Sequence, residues 1–422
     1  MEQQERLRWF QQSRFGIYIH YGLYSLLERG EWSMYSERIP PQEYARLAKH
    51  FLPRRDCAEH WADCIARSGA KYAVLTTRHH DGFCLFDSKC SDFTSVHCAA
   101  KRDIVAEYVT ALRKAGLKVG LYYSLLDWRF PGYFAPDRFP ESRQALLHQV
   151  HEQVRELMSN YGPIDLLEYD GGWDAKAKSD KESKIAFWRS RELNAMVRSL
   201  QPQIIINNRS GADEDIDTPE QMVKASDSGR CWESCMTMGD SCGWGYIRHN
   251  PNYKTTPQLL QHLCTAAQGE GNFLLNIGPE PDGRIRCEEQ ERLQAIAAWL
   301  RDNEESIRGS QRCELIGSSV VGEVDLNLQG GWTRKENIAY WQLFRWPGPV
   351  ATQILVDTPV SKVSLLASGE EYPFEYDKKN GKLQIYNLPV NPPSPHVNVL
   401  KVEFNACPKR KVESDLTAWL NL

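Results

Sequence analysis

Short apolar runs alternate with longer amphipathic stretches over the first three hundred or so residues of the chain. Runs of this kind, bounded by Gly, Pro, Asn and Asp, read as buried strands. The stretches between them carry apolar residues at the three- and four-residue spacing of helices. Strands are predicted at 16–20, 72–77, 118–123, 164–169, 203–207 and 272–277, with a seventh near 231–235. Helices are predicted at 41–51, 103–115, 142–161, 183–200, 256–267 and 288–303. Strand and helix in regular alternation are the pattern of parallel βα units. No glycine-rich phosphate loop follows the first strand, so the expected fold is an α/β barrel of the (β/α)8 or TIM type, with irregularities, rather than an open doubly wound sheet.

The texture changes near residue 310. From 319 onward, β-rich stretches at 320–328, 338–344, 353–356, 360–366, 383–386 and 397–404 are broken by Gly, Pro, Asn and Asp. That is the pattern of a small antiparallel sandwich. The expected organisation is a (β/α)8-like barrel over 1–309, carrying the chemistry, and a C-terminal β-sandwich over 310–422. A length of 422 residues suits one barrel plus a smaller module. No internal repeat at a fixed period is present.

Composition narrows the function. Charged residues are 25% and apolar residues 41% of the chain, values of an ordinary globular protein, which excludes disordered and collagen-like classes. The formal net charge of -4, with basic residues scattered, offers no face for nucleic acid and favours a neutral substrate. Thirteen Trp and eighteen Tyr supply rings on which the apolar faces of sugars stack, although most such rings fill cores. There is no apolar leader and no run of eighteen apolar residues, so neither a signal peptide nor a membrane span is expected and the reading is cytoplasmic. The twelve Cys are irregularly spaced, and Cys64, Cys84 and Cys264 sit in apolar segments, the pattern of reduced, buried thiols. Cys231 and Cys235 are followed by no second pair at zinc spacing, and no metal or other cofactor is expected.

In a barrel of this kind the chemistry gathers at the C-terminal ends of the strands. The first tip reads Tyr18-Ile19-His20-Tyr21-Gly22 and the second Thr77-Arg78-His79-His80-Asp81-Gly82. The third reads Tyr122-Tyr123-Ser124, the fourth Glu168-Tyr169-Asp170-Gly171-Gly172-Trp173 and the fifth Asn207-Asn208-Arg209. Each has a plain structural reading: a hydrogen-bonded His, or a turn opened by Asp81-Gly82 or Asp170-Gly171. Neighbouring residues on a strand point to opposite faces, so His79 and His80 cannot easily ligate one ion. Their joint placement makes one mouth with three histidines, an arginine, a carboxylate and several aromatic rings. Glycoside hydrolysis needs two carboxyl groups, one to attack or to activate water and one to protonate the leaving oxygen. Asp170 supplies the first. The second comes from the acidic segment 211–221, which holds Glu214 and Glu220 and also reads as a solvated loop with a Thr-Pro-Glu helix start, or from Glu233.

At these residues the chain resembles family 29 of the glycoside hydrolases, the α-L-fucosidases, from about Trp9 to Arg308. The pieces that carry the resemblance are 14–22, Gly30-Glu31-Trp32, 70–83, Tyr161-Gly162-Pro163 leading to Asp170-Gly171, Trp232-Glu233-Ser234-Cys235-Met236-Thr237 with Trp244-Gly245-Tyr246, and 271–279 with Pro281-Asp282-Gly283. The resemblance implies a retaining, exo-acting α-L-fucosidase whose partner is a fucosylated oligosaccharide or glycoside. It implies Asp170 as nucleophile and His20, Glu31, Trp32, His79, His80, Tyr122 and Arg209 as the sugar-binding set. By position it favours Glu220 as acid/base over Glu233 and Glu214. One departure stands out: Glu168-Tyr169 occupies the place of an aromatic pair, and an inward-facing Glu168 would raise the pKa of neighbouring carboxylates by like-charge repulsion. The competing readings are a metal-dependent barrel hydrolase using His20, His79 and His80, and a catalytically silent fucose-binding relative.

Overall fold

The computed structural model describes residues 3–173, 180–226, 229–240, 243–315, 320–321, 324–325 and 330–411. Eight strands form one sheet: β1 (Phe15–Ile19), β2 (Tyr72–Arg78), β3 (Lys118–Ser124), β4 (Leu166–Asp170), β5 (Ile205–Ile206), β6 (Ile216–Asp217), β7 (Cys231–Thr237) and β8 (Asn272–Ile277). Their order is β5-β4-β3-β2-β1-β8-β7-β6, and a parallel bridge between Asn207 and Ile216 joins the two ends. The sheet is therefore a nearly closed barrel of parallel strands, as expected. The expected strands that are continuous apolar runs reappear within two residues of their predicted bounds.

The differences have identifiable causes. Strand β6 was not expected, because two residues inside an acidic stretch carry no apolar run. The same segment does not start a helix at Thr218-Pro219-Glu220. It stays extended, and Glu220 forms a parallel bridge with Cys235 on β7. The predicted helix 183–200 is two, Lys181–Trp188 and Ser190–Leu200, broken at Arg189 with φ 52°. Besides the four-residue helices Ser33–Ser36 and Pro131–Phe134, two longer helices lie outside the predicted ranges. Gln3–Ser13 sends Leu7 and Phe10 into the barrel interior, where Phe10 and Trp9 pack on Tyr72 at the first residue of β2 and so fill the N-terminal end. Cys57–Arg67 buries Cys57, Ala58, Trp61, Ala62 and Ile65 on one face.

Alternation along the strands builds the interior in layers. Tyr18, Tyr72, Val74, Tyr122, Leu166, Ile205, Ile216, Cys235 and Leu274 form one buried cluster there. Gly16 pairs with Tyr72, and a Cβ at Gly16 would lie 2.4 Å from the Tyr72 ring, so glycine at this position admits a full aromatic ring into a narrow barrel.

The described chain falls into two compact units, one comprising Met1–Met222, Ser226–Lys254 and Leu274–Gln294, the other Val223–Ala225, Thr255–Phe273 and Ala295–Leu422. The second contains two main antiparallel sheets. One has five strands in the order Val360–Leu365, Asn398–Phe404, Ile338–Leu343, Gly330–Lys335, Gln311–Arg312; the other has three, Ala351–Gln353, Lys382–Ile385 and Phe374–Asp377. Their inward residues share a core in which Trp332 stacks on Trp341 with centroids 4.9 Å apart. Of the predicted strand 320–328, only the short hairpin strands Val320–Val321 and Val324–Asp325 lie among the described residues. Among those residues no helix is long and apolar enough to cross a membrane.

Candidate active site

Asp170 is the last residue of β4, and the two glycines after it explain its setting. Gly171 takes φ 66°, a left-handed turn that suits glycine, and a Cβ at Gly172 would lie 1.9 Å from the Arg209 carbonyl oxygen. The loop after β4 is thus pressed on the loop after β5. That contact brings Arg209 to the carboxylate: its Nη1 lies 3.2 Å from Asp170 Oδ1. Tyr122 donates its hydroxyl to Asp170 Oδ2 at 3.0 Å, and His80 Nε2 is 3.6 Å from the same oxygen. Burial alone would push the Asp170 carboxyl up, but Arg209, His80, the Gly171 N–H and Tyr122 more than offset it and hold it below the usual aspartate range. Asp170 is therefore an ionised carboxylate at neutral pH, with 14% of its side chain exposed at the mouth.

The three histidines are buried and neutral. Burial lowers His20 to about 3, and its Nδ1 is 2.7 Å from Asn276 Oδ1 at the end of β8. Burial lowers His80 to about 4 in spite of the Asp170 charge, and its Nδ1 meets Ser124 Oγ at 2.6 Å. His79 lies well below the ordinary range for the same reason. Its ring stacks on Tyr122 at 5.7 Å and 9°, and its buried Nδ1 has no hydrogen-bond partner. Neutral imidazoles both donate and accept, which suits hydroxyl groups rather than charged ones. Among the described residues no group of three His, Cys, Asp or Glu side chains is arranged to hold a metal ion.

Arg209 also reaches the second carboxylate. Its Nη1 is 3.1 Å from Glu220 Oε2, while Nε and Nη2 donate to the Thr218 hydroxyl and carbonyl at 2.8 and 3.1 Å. Two contacts of 3.2 and 3.1 Å on one nitrogen keep the Asp170 and Glu220 oxygens no more than 6.3 Å apart. Glu220 is 44% exposed, facing out of the mouth. Glu31 is buried and accepts the N–H groups of Trp244 and Gly245 at 2.9 and 2.7 Å, which ties the loop after β1 to the loop after β7. Burial raises its carboxyl in spite of those two donors. Trp32, beside it, is 40% exposed and stands edge-on to His80 at 5.4 Å.

The other two acid/base candidates have different surroundings. Glu214 is held by Asn194 at 2.7 Å and Arg198 at 3.0 Å, in a cluster with Asp215 that the mouth does not include. Glu233 is wholly buried inside the barrel and accepts the Tyr72 hydroxyl at 2.6 Å. Glu168 lies two residues before Asp170, on the same face of β4 and one layer deeper. Its carboxyl hydrogen-bonds to Glu233 and to Tyr18. Burial first, and the like charge of Glu233 second, push Glu168 far up; burial raises Glu233 as well. The pair therefore holds a proton between them beneath the mouth. Glu168 does face inward, but its effect is not the expected one: its hydrogen bond lowers the Glu233 carboxyl against the effect of burial, and the like charge raises Glu168 itself.

Several residues at the site escaped the sequence reading. Asn276 and Ser124 orient His20 and His80, Thr218 holds Arg209, and Trp128 packs against both Trp32 (5.2 Å) and His80 (5.4 Å). Asn276 sits at a strand tip, so the same rule applied to β8 finds it. Trp128 and Thr218 lie on loops with no such signal.

Two carboxylates so near each other, in a pocket of neutral hydrogen-bonding groups and aromatic rings, fit the chemistry of a glycoside hydrolase. A family profile described as alpha-L-fucosidase matches residues 1–305. The tissue alpha-L-fucosidase of Rattus norvegicus is 31% identical over 92% of this chain and 86% of its own. Among solved structures, alpha-L-fucosidase isoenzyme 1 from Paenibacillus thiaminolyticus is 32% identical with a TM-score of 0.83, covering 96% of this chain and 99% of that one. An alpha-L-fucosidase of Bacteroides thetaiotaomicron, solved as a trapped covalent intermediate with 2-fluoro-fucosyl fluoride, is 25% identical with a TM-score of 0.83 over 95% of this chain and 96% of that one. The chain belongs to the α-L-fucosidase family of glycoside hydrolases.

Proposed function

We propose that the chain is an exo-acting, retaining α-L-fucosidase in which Asp170 is the nucleophile and Glu220 the acid/base. The observation that carries this reading is the pair of contacts to Arg209, which keeps the Asp170 and Glu220 oxygens within 6.3 Å. That limit on the bridged oxygens accommodates the roughly 5–5.5 Å carboxyl separation of retaining glycosidases. The covalent intermediate of the Bacteroides thetaiotaomicron relative supports the same choice.

In the first step an oxygen of Asp170 bonds to the anomeric carbon while the bond to the leaving oxygen breaks, and Glu220 gives its proton to that oxygen. In the second, Glu220 takes a proton from water, the water oxygen bonds to the anomeric carbon, and Asp170 leaves as a carboxylate. Two inversions return the α configuration. Arg209, His80 and Tyr122 keep Asp170 ionised and ready to attack. His20, His79 and Tyr122 offer donors and acceptors to fucose hydroxyls; Glu31 anchors the loop carrying Trp32, whose exposed face covers the ring. The loop wall and the neutral histidines suit an uncharged sugar.

The test is to follow hydrolysis of an aryl α-L-fucoside by proton NMR. The first product seen is α-L-fucose; initial formation of the β anomer would overturn the retaining assignment.

A further inference from the structure

Five aromatic side chains are exposed among the described residues: Trp32, Tyr35, Phe134, Phe139 and Trp173. All five lie on the segments that follow β1, β3 and β4, Tyr35 and Phe134 in short helices, at the end of the barrel where Asp170 sits. Exposed rings scattered singly need no explanation, but rings gathered at one mouth do. Three of these rings, Trp32, Tyr35 and Phe134, join His80 and Trp128 in a continuous run that begins at the nucleophile. His80, 3.6 Å from Asp170 Oδ2, touches Trp32 and the buried Trp128, each at 5.4 Å. Trp128 backs Tyr35, stacked at 5.4 Å and 28°, and Tyr35 in turn lies nearly parallel to Phe134 at 6.4 Å and 11°. Tyr35 is 51% and Phe134 42% exposed.

We propose that Tyr35 and Phe134, aligned by Trp128, form a leaving-group subsite that stacks the apolar face of the sugar residue carrying fucose. This rests on the fucosidase reading above and names the part of the substrate that reading leaves open. The barrel below Asp170 is filled by Glu168, Glu233 and Tyr72, with Phe10 and Trp9 beneath. A fucosyl unit bound at Asp170 has only the mouth as an exit, so the next residue of the glycan must lie along the rim. Aromatic rings held flat by their neighbours are suited to the C–H face of a pyranose, and a rim without charges on those rings suits a neutral one. The 6.4 Å spacing between the two exposed rings matches the length of about one sugar ring.

The experiment compares wild type, Tyr35→Ala, Phe134→Ala, the double variant and Tyr35→Phe on three substrates: a fucosyl disaccharide, an aryl α-L-fucoside, and α-L-fucosyl fluoride, whose leaving group has no ring. Each Ala substitution lowers kcat/KM on the two ring-bearing substrates roughly two- to ten-fold, mainly through KM. Rates on the fluoride and inhibition by free fucose stay within about two-fold, and Tyr35→Phe behaves as wild type, as expected for loss of stacking alone. Equal losses on all three substrates, or no loss on any, would overturn the subsite. A wild type that fails to hydrolyse fucosyl fluoride would instead bring down the fucosidase reading itself.

Discussion

Replacing Tyr122 with Phe removes one oxygen from the site and little else, because the ring that stacks on His79 at 5.7 Å remains. The lost hydroxyl donates to Asp170 Oδ2 at 3.0 Å, one of four groups that hold this carboxyl below its usual range. A hydrogen bond to a charged group contributes about 1.5–3 kcal/mol. Its loss moves the Asp170 carboxyl back up, toward the usual aspartate range. The sign follows from the donor favouring the charged form only: without it, protonation becomes easier, and the nucleophile is neutralised at higher pH. The acid limb of kcat/KM, which reports groups of the free enzyme, therefore moves to higher pH. The assay is a pH series from 3.5 to 8 on an aryl fucoside, with the alkaline limb as internal reference. An acid limb that stays where it is, whatever happens to kcat, would refute the claim that this hydroxyl supports the attacking carboxylate.

Glu220→Ala should keep most activity on activated aryl leaving groups, which depart without protonation, and lose about a hundredfold or more on natural sugars; equal losses on both would move the acid/base role elsewhere. His80 folds as a neutral group, lowered from 6.5 to about 4, so between those values the unfolded chain takes up a proton that the folded chain refuses. Stability from this residue is full above pH 6.5 and falls by about 3 kcal/mol as the pH drops to 4. Urea unfolding of wild type and His80→Asn across that range should show their difference changing by about this amount, and parallel curves would contradict the buried, neutral assignment.

The barrel was legible because its strands are buried on both faces and so read as continuous apolar runs, from Tyr72 to Thr77 or Lys118 to Tyr123. The two-residue strand β6 was not equally legible. It helps close the ring through main-chain bonds that leave no hydrophobic period, and Arg189 breaks a helix whose periodicity runs on unbroken through it. The helix Cys57–Arg67 was there to be read, since its apolar residues fall at three- and four-residue steps. At the site, the strand-tip rule found Asp170, His20, His79, His80, Tyr122 and Arg209. The layer below follows from the same period of two, which puts Glu168 under Asp170. Its hydrogen bonds to Glu233 across the barrel and the reach of Tyr72 beside Gly16 depend on closure of the ring, a fact of tertiary structure. That Arg209 meets Glu220, and not Glu214 or Glu233, likewise depends on tertiary structure.

The central claim is that Asp170 attacks the sugar, and removing its carboxyl tests it most directly. Asp170→Gly should hydrolyse an aryl α-L-fucoside at least about a thousandfold more slowly than wild type. Added azide, entering the space left by the side chain, should restore turnover and give β-L-fucosyl azide, the inverted product of a single displacement. Turnover near the wild-type rate without azide, or rescue that yields the α-azide, would contradict the account.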